Sequence, residues 1–311
     1  MIHTELNTIE ARLAADGLDV QTVRRVVSEA LDEDLGGRGV LGVGVGASAG
    51  VDVTSYATVD PDATATGNFV ARASGTVAGL SVAAYVMALL ASAAGDFRIE
   101  VRANDGDQVA RGDVLLTVTG NTRALLTAER VALNLLTLVS GVASATHCWV
   151  QALAGTGTKV RDSRKTIPGL RMLQKYAVRV AGGVNHRMCL ADAALIKDNH
   201  VVAAGGVVPA FQAVRAAYPD IPVQVEVTSM DEARAVVAAG AEDVLLDNMP
   251  VDMMRMVVSE LGNKARFEAS GGLTLDTAAA IAATGVDFVA VGAITHSAPI
   301  LDIALDFVPG R

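Results

Sequence analysis

From about residue 157 onward one pattern repeats: a short apolar run, a polar or glycine-rich loop, then a stretch with helical spacing. The apolar runs fall at 158–161, 193–196, 222–227, 243–246, 267–269 and 288–291, and the helical stretches at 169–181, 209–217, 230–239, 251–261 and 274–284. Parallel strands need a crossover between them, so this alternation predicts a parallel sheet. About six units are present where a closed barrel has eight, so the expected fold is α/β, an incomplete α/β barrel over 127–300. The first 126 residues read differently. Helices are predicted at 4–16 and 20–34, then β-like runs at 55–59, 67–71, 75–78, 97–101 and 114–118 around an apolar helix over 80–94. That predicts a smaller N-terminal α+β domain, 1–126, onto which the tail 301–311 packs back. A helix over 127–146, broken at Gly141, opens the barrel domain.

Charge is concentrated in one place. The whole chain carries −9, yet residues 159–200 hold nine Lys/Arg and three Asp, a local +6. An acidic chain that gathers its cations in one segment suits a small, multiply charged anion. A solvated helix face accounts for Arg171, Lys175 and Arg179. It does not account for Arg164, Lys165, His186, Arg187 and Lys197, which sit beside Pro, Gly and Asn or directly after an apolar run.

Composition excludes several classes. The net charge argues against nucleic acid as a general partner. Cys148 and Cys189 are too few for a disulfide framework, which predicts a reduced, cytoplasmic setting. Residues 1–17 have neither the basic nor the apolar region of a signal peptide, and the apolar run at 80–94 is too short to span a bilayer, so no membrane association is expected. Residues 36–50 include seven glycines of fifteen and read as a flexible loop. They lack the G-K-[ST] of a phosphate loop. NDGDQVARGDVLLTVTG resembles biotinyl and lipoyl carrier domains, but no lysine occurs between Met1 and Gly157 to be modified.

In barrels of this kind the reactive groups lie at the C-terminal ends of the strands. Here those ends carry Arg161-Asp162-Ser163-Arg164-Lys165, Lys197-Asp198-Asn199-His200, Glu226, Asp247-Asn248, Ser270-Gly271-Gly272 and Gly292-Ala293, with His296 close by. Glycine turns before helices offer backbone N–H groups to a phosphate. Glu226 and Asp247 accept only, and suit sugar hydroxyls or a hard cation such as Mg²⁺. Arg164, Lys165, Arg187 and Lys197 match carboxylates and pyrophosphate. Singly, Glu226 could be an ion-pair partner and Asp247 a helix cap; their convergence on one face points to a site.

These residues also carry a likeness. TAERVALNLLTLVSGVASAT, RDSRKTIPGLRMLQKYAV, GGVNHR, ALIKDNH, VEV, LLDN, ASGG and GVDFVAVGAITHS, in that order between Thr127 and Ser297, resemble the quinolinate phosphoribosyltransferase family. The resemblance implies transfer of phosphoribosyl from phosphoribosyl pyrophosphate (PRPP) to quinolinate with decarboxylation, giving nicotinate mononucleotide, pyrophosphate and CO₂, with Mg²⁺. It implies a homodimer in which Arg130 reaches the partner's barrel. It places Ser163, Arg164, Lys165, His186, Arg187 and Lys197 around quinolinate and pyrophosphate, and Glu226 and Asp247 at the ribose and the metal. Ser270, Gly271, Gly272, Val291, Gly292 and Ala293 would hold the 5-phosphate, with His296 also among the substrate-binding residues. Lys165, Lys197, Glu226 and Asp247 are the expected catalytic groups. Three departures stand out: Ser163 where the family usually has Thr, Thr228 where a polar or acidic residue often follows VEV, and the long glycine-rich stretch at 36–50.

Three alternatives come from the same residues. Another pyridine-carboxylate phosphoribosyltransferase would use the same ligands. A Schiff-base aldolase would use Lys197 as nucleophile. A metabolite-binding regulator on a retired barrel would have lost some of these charges, and none is missing.

Overall fold

Every strand between residues 159 and 290 runs parallel, and the helices between them supply the crossovers. The computed structural model describes residues 2–36 and 50–308; most of the glycine-rich stretch lies outside them. In chain order the elements are α1 (Ile2–Ala15), α2 (Val20–Asp34), α3 (Val53–Thr58), β1 (Thr64–Ala71), β2 (Gly75–Thr76), α4 (Leu80–Ala91), β3 (Arg98–Val101), β4 (Gln108–Val109), β5 (Val114–Asn121) and α5 (Thr122–Ala152). There follow β6 (Lys159–Arg161), α6 (Arg171–Val180), β7 (Ala194–Ile196), α7 (Asp198–Ala204), α8 (Val207–Ala217), β8 (Val223–Val227) and α9 (Met230–Ala238). The last are β9 (Asp243–Asp247), α10 (Val251–Leu261), β10 (Arg266–Ser270), α11 (Leu275–Ala282), β11 (Phe288–Ala290), α12 (Ala293–His296) and β12 (Ile303–Phe307).

The chain forms two compact units: Met1–Ser144 with Pro168–Val180 and Ala298–Arg311, and Ala145–Ile167 with Ala181–Ser297. In the second, the sheet order is β6-β11-β10-β9-β8-β7. The two outer strands, β6 and β7, do not pair with each other, so the ring stays open there and the barrel is incomplete. Apolar residues such as Val225, Val244, Leu246, Phe267 and Val289 bury one face of these strands completely. The alternate positions face the other way and carry the chemistry, because side chains on a strand alternate.

In the first unit an antiparallel sheet of order β12-β1-β5-β3 packs on α4, whose residues from Leu80 to Ala88 are all buried. The C-terminal strand β12 pairs with β1, Gly67 opposite Phe307 and Ala71 opposite Ile303.

Several local expectations are corrected. The boundary falls at Ser144, inside α5, rather than at residue 126. Residues 55–59, β-like by their branched and aromatic content, belong mostly to α3, because Asp52 caps a helix there by accepting from Thr54 N and Ser55 N at 3.1 Å each. α5 runs unbroken for 31 residues through Gly141. That glycine instead admits the main chain of Pro299 and Ile300, which a Cβ would strike. α5 is the one helix among the described residues long and apolar enough to cross a membrane, but 67% of its most apolar window is buried, as in a core helix. α6 reads as a barrel helix but belongs to the first unit, where Tyr176 donates to Asp105 at 2.5 Å. Lys175 is 1% exposed and so is not part of a solvated basic face.

Asp105 illustrates how this unit is held. Its carboxylate accepts from Gly79 N at 2.8 Å and Leu80 N at 3.1 Å, satisfying the start of α4, and from Tyr176. Asp105→Ala would strand these donors and should cost about 2–4 kcal/mol. Burial raises the Asp105 carboxyl above its usual 3.8 despite those hydrogen bonds. The native state therefore holds its proton longer than the unfolded chain does. The stabilisation is full below the unfolded value and declines as pH rises through the native one. Urea denaturation between about pH 4 and 7 should show the stability difference between wild type and Asp105→Asn shifting in the variant's favour as pH rises. A pH-independent difference would contradict the raised carboxyl.

Candidate active site

The strand ends of the second unit enclose a cleft of about 700 Å³. Of the residues singled out from the sequence, Ser163, Arg164, Lys165, His186, Arg187, Lys197, Glu226, Asp247, Ser270, Gly271, Gly272, Val291, Gly292, Ala293 and His296 all line it. Arg130 does not; it is exposed on α5, in the first unit. Thr228 is turned back onto α9, its N and Oγ1 donating to Glu232 at 2.8 and 3.0 Å.

Register explains the convergence. Glu226 on β8 is paired with Leu245 on β9, which is paired with Glu268 on β10; one step further, Asp247 is paired with Ser270. With a period of two, Glu226, Leu245, Asp247, Glu268 and Ser270 point the same way, and each lines the cleft.

The rim is cationic. Arg164 and Lys165 follow β6, in a turn where Lys165 N donates to Ser163 Oγ at 3.0 Å and Thr295 Oγ1 donates to Lys165 O at 2.8 Å. Arg187 is half-buried and its Nη1 donates to Ala193 O at 2.7 Å. Burial, then the neighbouring charge of Arg164, lowers its pKa, which means two guanidiniums crowd the same space. Lys197 sits 3.9 Å from Glu226 Oε2, with Lys197 48% and Glu226 13% exposed. Burial raises the Glu226 carboxyl; Lys197 opposes this, and the charge of Asp247, which lines the same cleft, adds to it.

Two glycine turns line the same cleft. Gly271 and Gly272 have φ of +94° and +59°, conformations that suit glycine. A Cβ on Gly271 would collide with the side chain of Asn248. Asn248 itself has φ +51° and donates to Ser270 O at 2.9 Å, so these two strand ends are locked together. A Cβ on Gly292 would crowd Lys165 Cδ at 3.1 Å and His296 Nε2 at 3.2 Å.

Sequence reasoning missed the cleft's floor. Asp162, fully buried, accepts from Asn185 Nδ2 and His186 N at 2.7 Å each and fixes the loop that carries His186 and Arg187. Glu268 lies beneath the cleft at 2% exposure, and Gln224 beside it at 7%. The signal was available: Gln224 and Glu268 stand two residues before Glu226 and Ser270, on the same strand face, inside otherwise apolar runs.

The chain matches two family models, the quinolinate phosphoribosyl transferase N-terminal domain over residues 52–140 and its C-terminal domain over 142–306. It is 47% identical to nicotinate-nucleotide pyrophosphorylase (carboxylating) of Mycobacterium leprae over 291 residues, 93% of this chain and 98% of that protein. The structure of nicotinate-nucleotide pyrophosphorylase from Francisella tularensis superposes with a TM-score of 0.84 at 36% identity, covering 93% of this chain and 96% of that one. NadC from Streptococcus pyogenes gives 0.85 at 35% identity, with coverage of 94% and 99%. The charged cleft on an open six-stranded barrel thus has close counterparts in sequence and in fold, and the chain belongs to the quinolinate phosphoribosyltransferase family.

Proposed function

We infer that the chain is a carboxylating nicotinate-nucleotide pyrophosphorylase: it transfers the phosphoribosyl group of PRPP to quinolinate, with loss of CO₂, to give nicotinate mononucleotide and pyrophosphate. The observation that carries this is one cleft in which four cations, the carboxylates of Glu226 and Asp247 and two glycine turns meet. Each group answers one part of the two substrates.

The chemistry asks little covalent help from the protein. The C1–O bond of PRPP breaks with oxocarbenium character, pyrophosphate departs, and the ring nitrogen of quinolinate bonds to C1. Holding both substrates in line and neutralising their charge is the protein's task. Arg164, Lys165, Arg187 and Lys197 hold the carboxylates of quinolinate and the pyrophosphate. The backbone N–H groups around Gly271, Gly272, Gly292 and Ala293 hold the 5-phosphate, with Ser270, Val291 and His296 shaping its pocket. Ribosylation leaves the ring nitrogen positive. The C2–carboxylate bond then breaks, its electron pair stays on C2 beside that charge, CO₂ leaves, and a proton adds at C2. Lys197 either holds the departing carboxylate or delivers that proton, and both roles need its charge.

Glu226 and Asp247 fit Mg²⁺, being acceptor-only carboxylates that line one cleft from the same sheet face. Mg²⁺ is commonly held by one or two carboxylates and completes its shell with substrate phosphates. No group of three or more His, Cys, Asp or Glu among the described residues could hold a metal, so substrate oxygens would complete this shell. When bound, the ion would offset the charge of the leaving pyrophosphate. Cys148 and Cys189 are free thiols, as suits a reducing cytoplasm.

The assay that tests the reading offers PRPP with quinolinate or with nicotinate and follows CO₂. Turnover of quinolinate with stoichiometric CO₂ is expected; use of nicotinate alone would point to the related pyridine-carboxylate enzyme. Lys197→Ala should abolish CO₂ release in a folded protein, and retention of activity within about tenfold, or ~1.4 kcal/mol of barrier, would remove Lys197 from the chemistry. Gly271→Val should weaken PRPP binding far more than quinolinate binding, through the strained φ and the clash with Asn248. Equal loss of both would indicate general damage.

We also propose a two-fold dimer in which Arg130 of the partner subunit completes each cleft. Its exposure on α5 supports this. Arg130→Ala and Lys165→Ala should each be nearly inactive, yet mixed heterodimers should regain about a quarter of all sites, since half the dimers hold one intact site. Heterodimers without recovery would exclude sharing.

A further inference from the structure

Beneath the cleft runs a chain of polar groups that the reaction scheme does not use. Arg161 Nη1 donates to Glu268 Oε2 at 2.7 Å. Gln224 Nε2 donates to the same oxygen at 3.0 Å. Gln224 Oε1 meets His186 Nε2 at 2.8 Å. His186 Nδ1 accepts from the main-chain N–H of Arg187 at 2.8 Å.

The polarity of each link is set by the one before it. A carboxylate paired with a guanidinium accepts only, so the amide nitrogen of Gln224 must face Glu268. Its carbonyl oxygen is then left for His186, which must carry its proton on Nε2. Nδ1 is therefore bare, as the N–H of Arg187 requires. A proton on Nδ1 would set two donors against each other at Arg187. Both ring nitrogens are thus engaged, so His186 borders the cleft while acting mainly as a spacer between the floor and the Arg187 main chain.

We propose that Gln224 and Glu268 are positioning residues for quinolinate: anchored on Arg161, they hold His186 in its Nε2–H form and so fix the backbone from which Arg187 reaches a substrate carboxylate. The proposal rests on the reading that Arg187 binds quinolinate. It predicts an asymmetric effect. The phosphate turns at Gly271 and Gly292 follow β10 and β11, whereas Gln224 lies on β8 and His186 before β7, so loss of the Gln224 link should spare PRPP.

Gln224→Met keeps the length and removes both hydrogen bonds. It should raise the KM for quinolinate by about tenfold, the scale of one lost hydrogen bond, with the KM for PRPP and the melting temperature nearly unchanged. Should the methionine variant fold poorly, Gln224→Glu carries the same kinetic test, because it sets an acceptor against Glu268. Long-range ¹H–¹⁵N spectra, with His186 assigned through His186→Asn, should show a single Nε2–H ring in wild type and a mixture of tautomers in Gln224→Met. Equal losses for both substrates, unchanged kinetics, or a wild-type ring protonated on Nδ1 would overturn the proposal. The spectra need no substrate and wild-type turnover needs no variant, so failure of the relay and failure of the assigned reaction are separable.

Discussion

A carboxylate at 2% exposure in the middle of a parallel sheet must find a cation, and Glu268 on β10 finds Arg161 on β6. Between them lies β11, whose Phe288 ring stacks beneath the guanidinium, 3.6 Å from its carbon to the ring centroid. One ion pair therefore spans three neighbouring strands. Removing either partner would leave a buried charge, a cost of about 3–5 kcal/mol. Its larger effect is on register. β6 is an edge strand of three residues, and a slip of one residue would turn Arg161 out of the interior. The loop with Arg164 and Lys165 follows directly, so placement of two cleft cations depends on that pairing.

The same cleft is crowded with like charge before any substrate enters. Burial and the neighbouring charge of Arg164 lower the affinity of Arg187 for a proton, and the charge of Asp247 raises that of Glu226. Such an arrangement stores repulsion that a ligand of opposite charge relieves. Two acidic substrates and a divalent cation would each relieve a part of it.

Features that a local pattern can encode were legible in the sequence. All six barrel strands lie where apolar runs meet polar loops, and the strand ends with the 186–187 loop named most of the cleft's polar lining, while Glu268 in its floor went unnamed. Features set by distant partners were not. The 55–59 run has β-like content, and only the cap at Asp52 shows why it coils. Gly141 looks like a helix break until Pro299 is seen against it. α6 has the spacing of a barrel helix, and its attachment to Asp105 is invisible locally. Arg161 and Glu268 are 107 residues apart, so neither announces the other.

The placement of β12 has a consequence for how the protein is made. The first unit draws on three separate stretches of chain, and its sheet is incomplete at one edge until residues 303–307 pair with β1. During synthesis the β1 edge must wait, unpaired, while the whole barrel sequence emerges. Such long-range closure is slow, and an open edge invites pairing with other chains. Residues 303–307 therefore close this edge late: a chain released before them can form barrel strands yet still present a bare β1 edge to its surroundings.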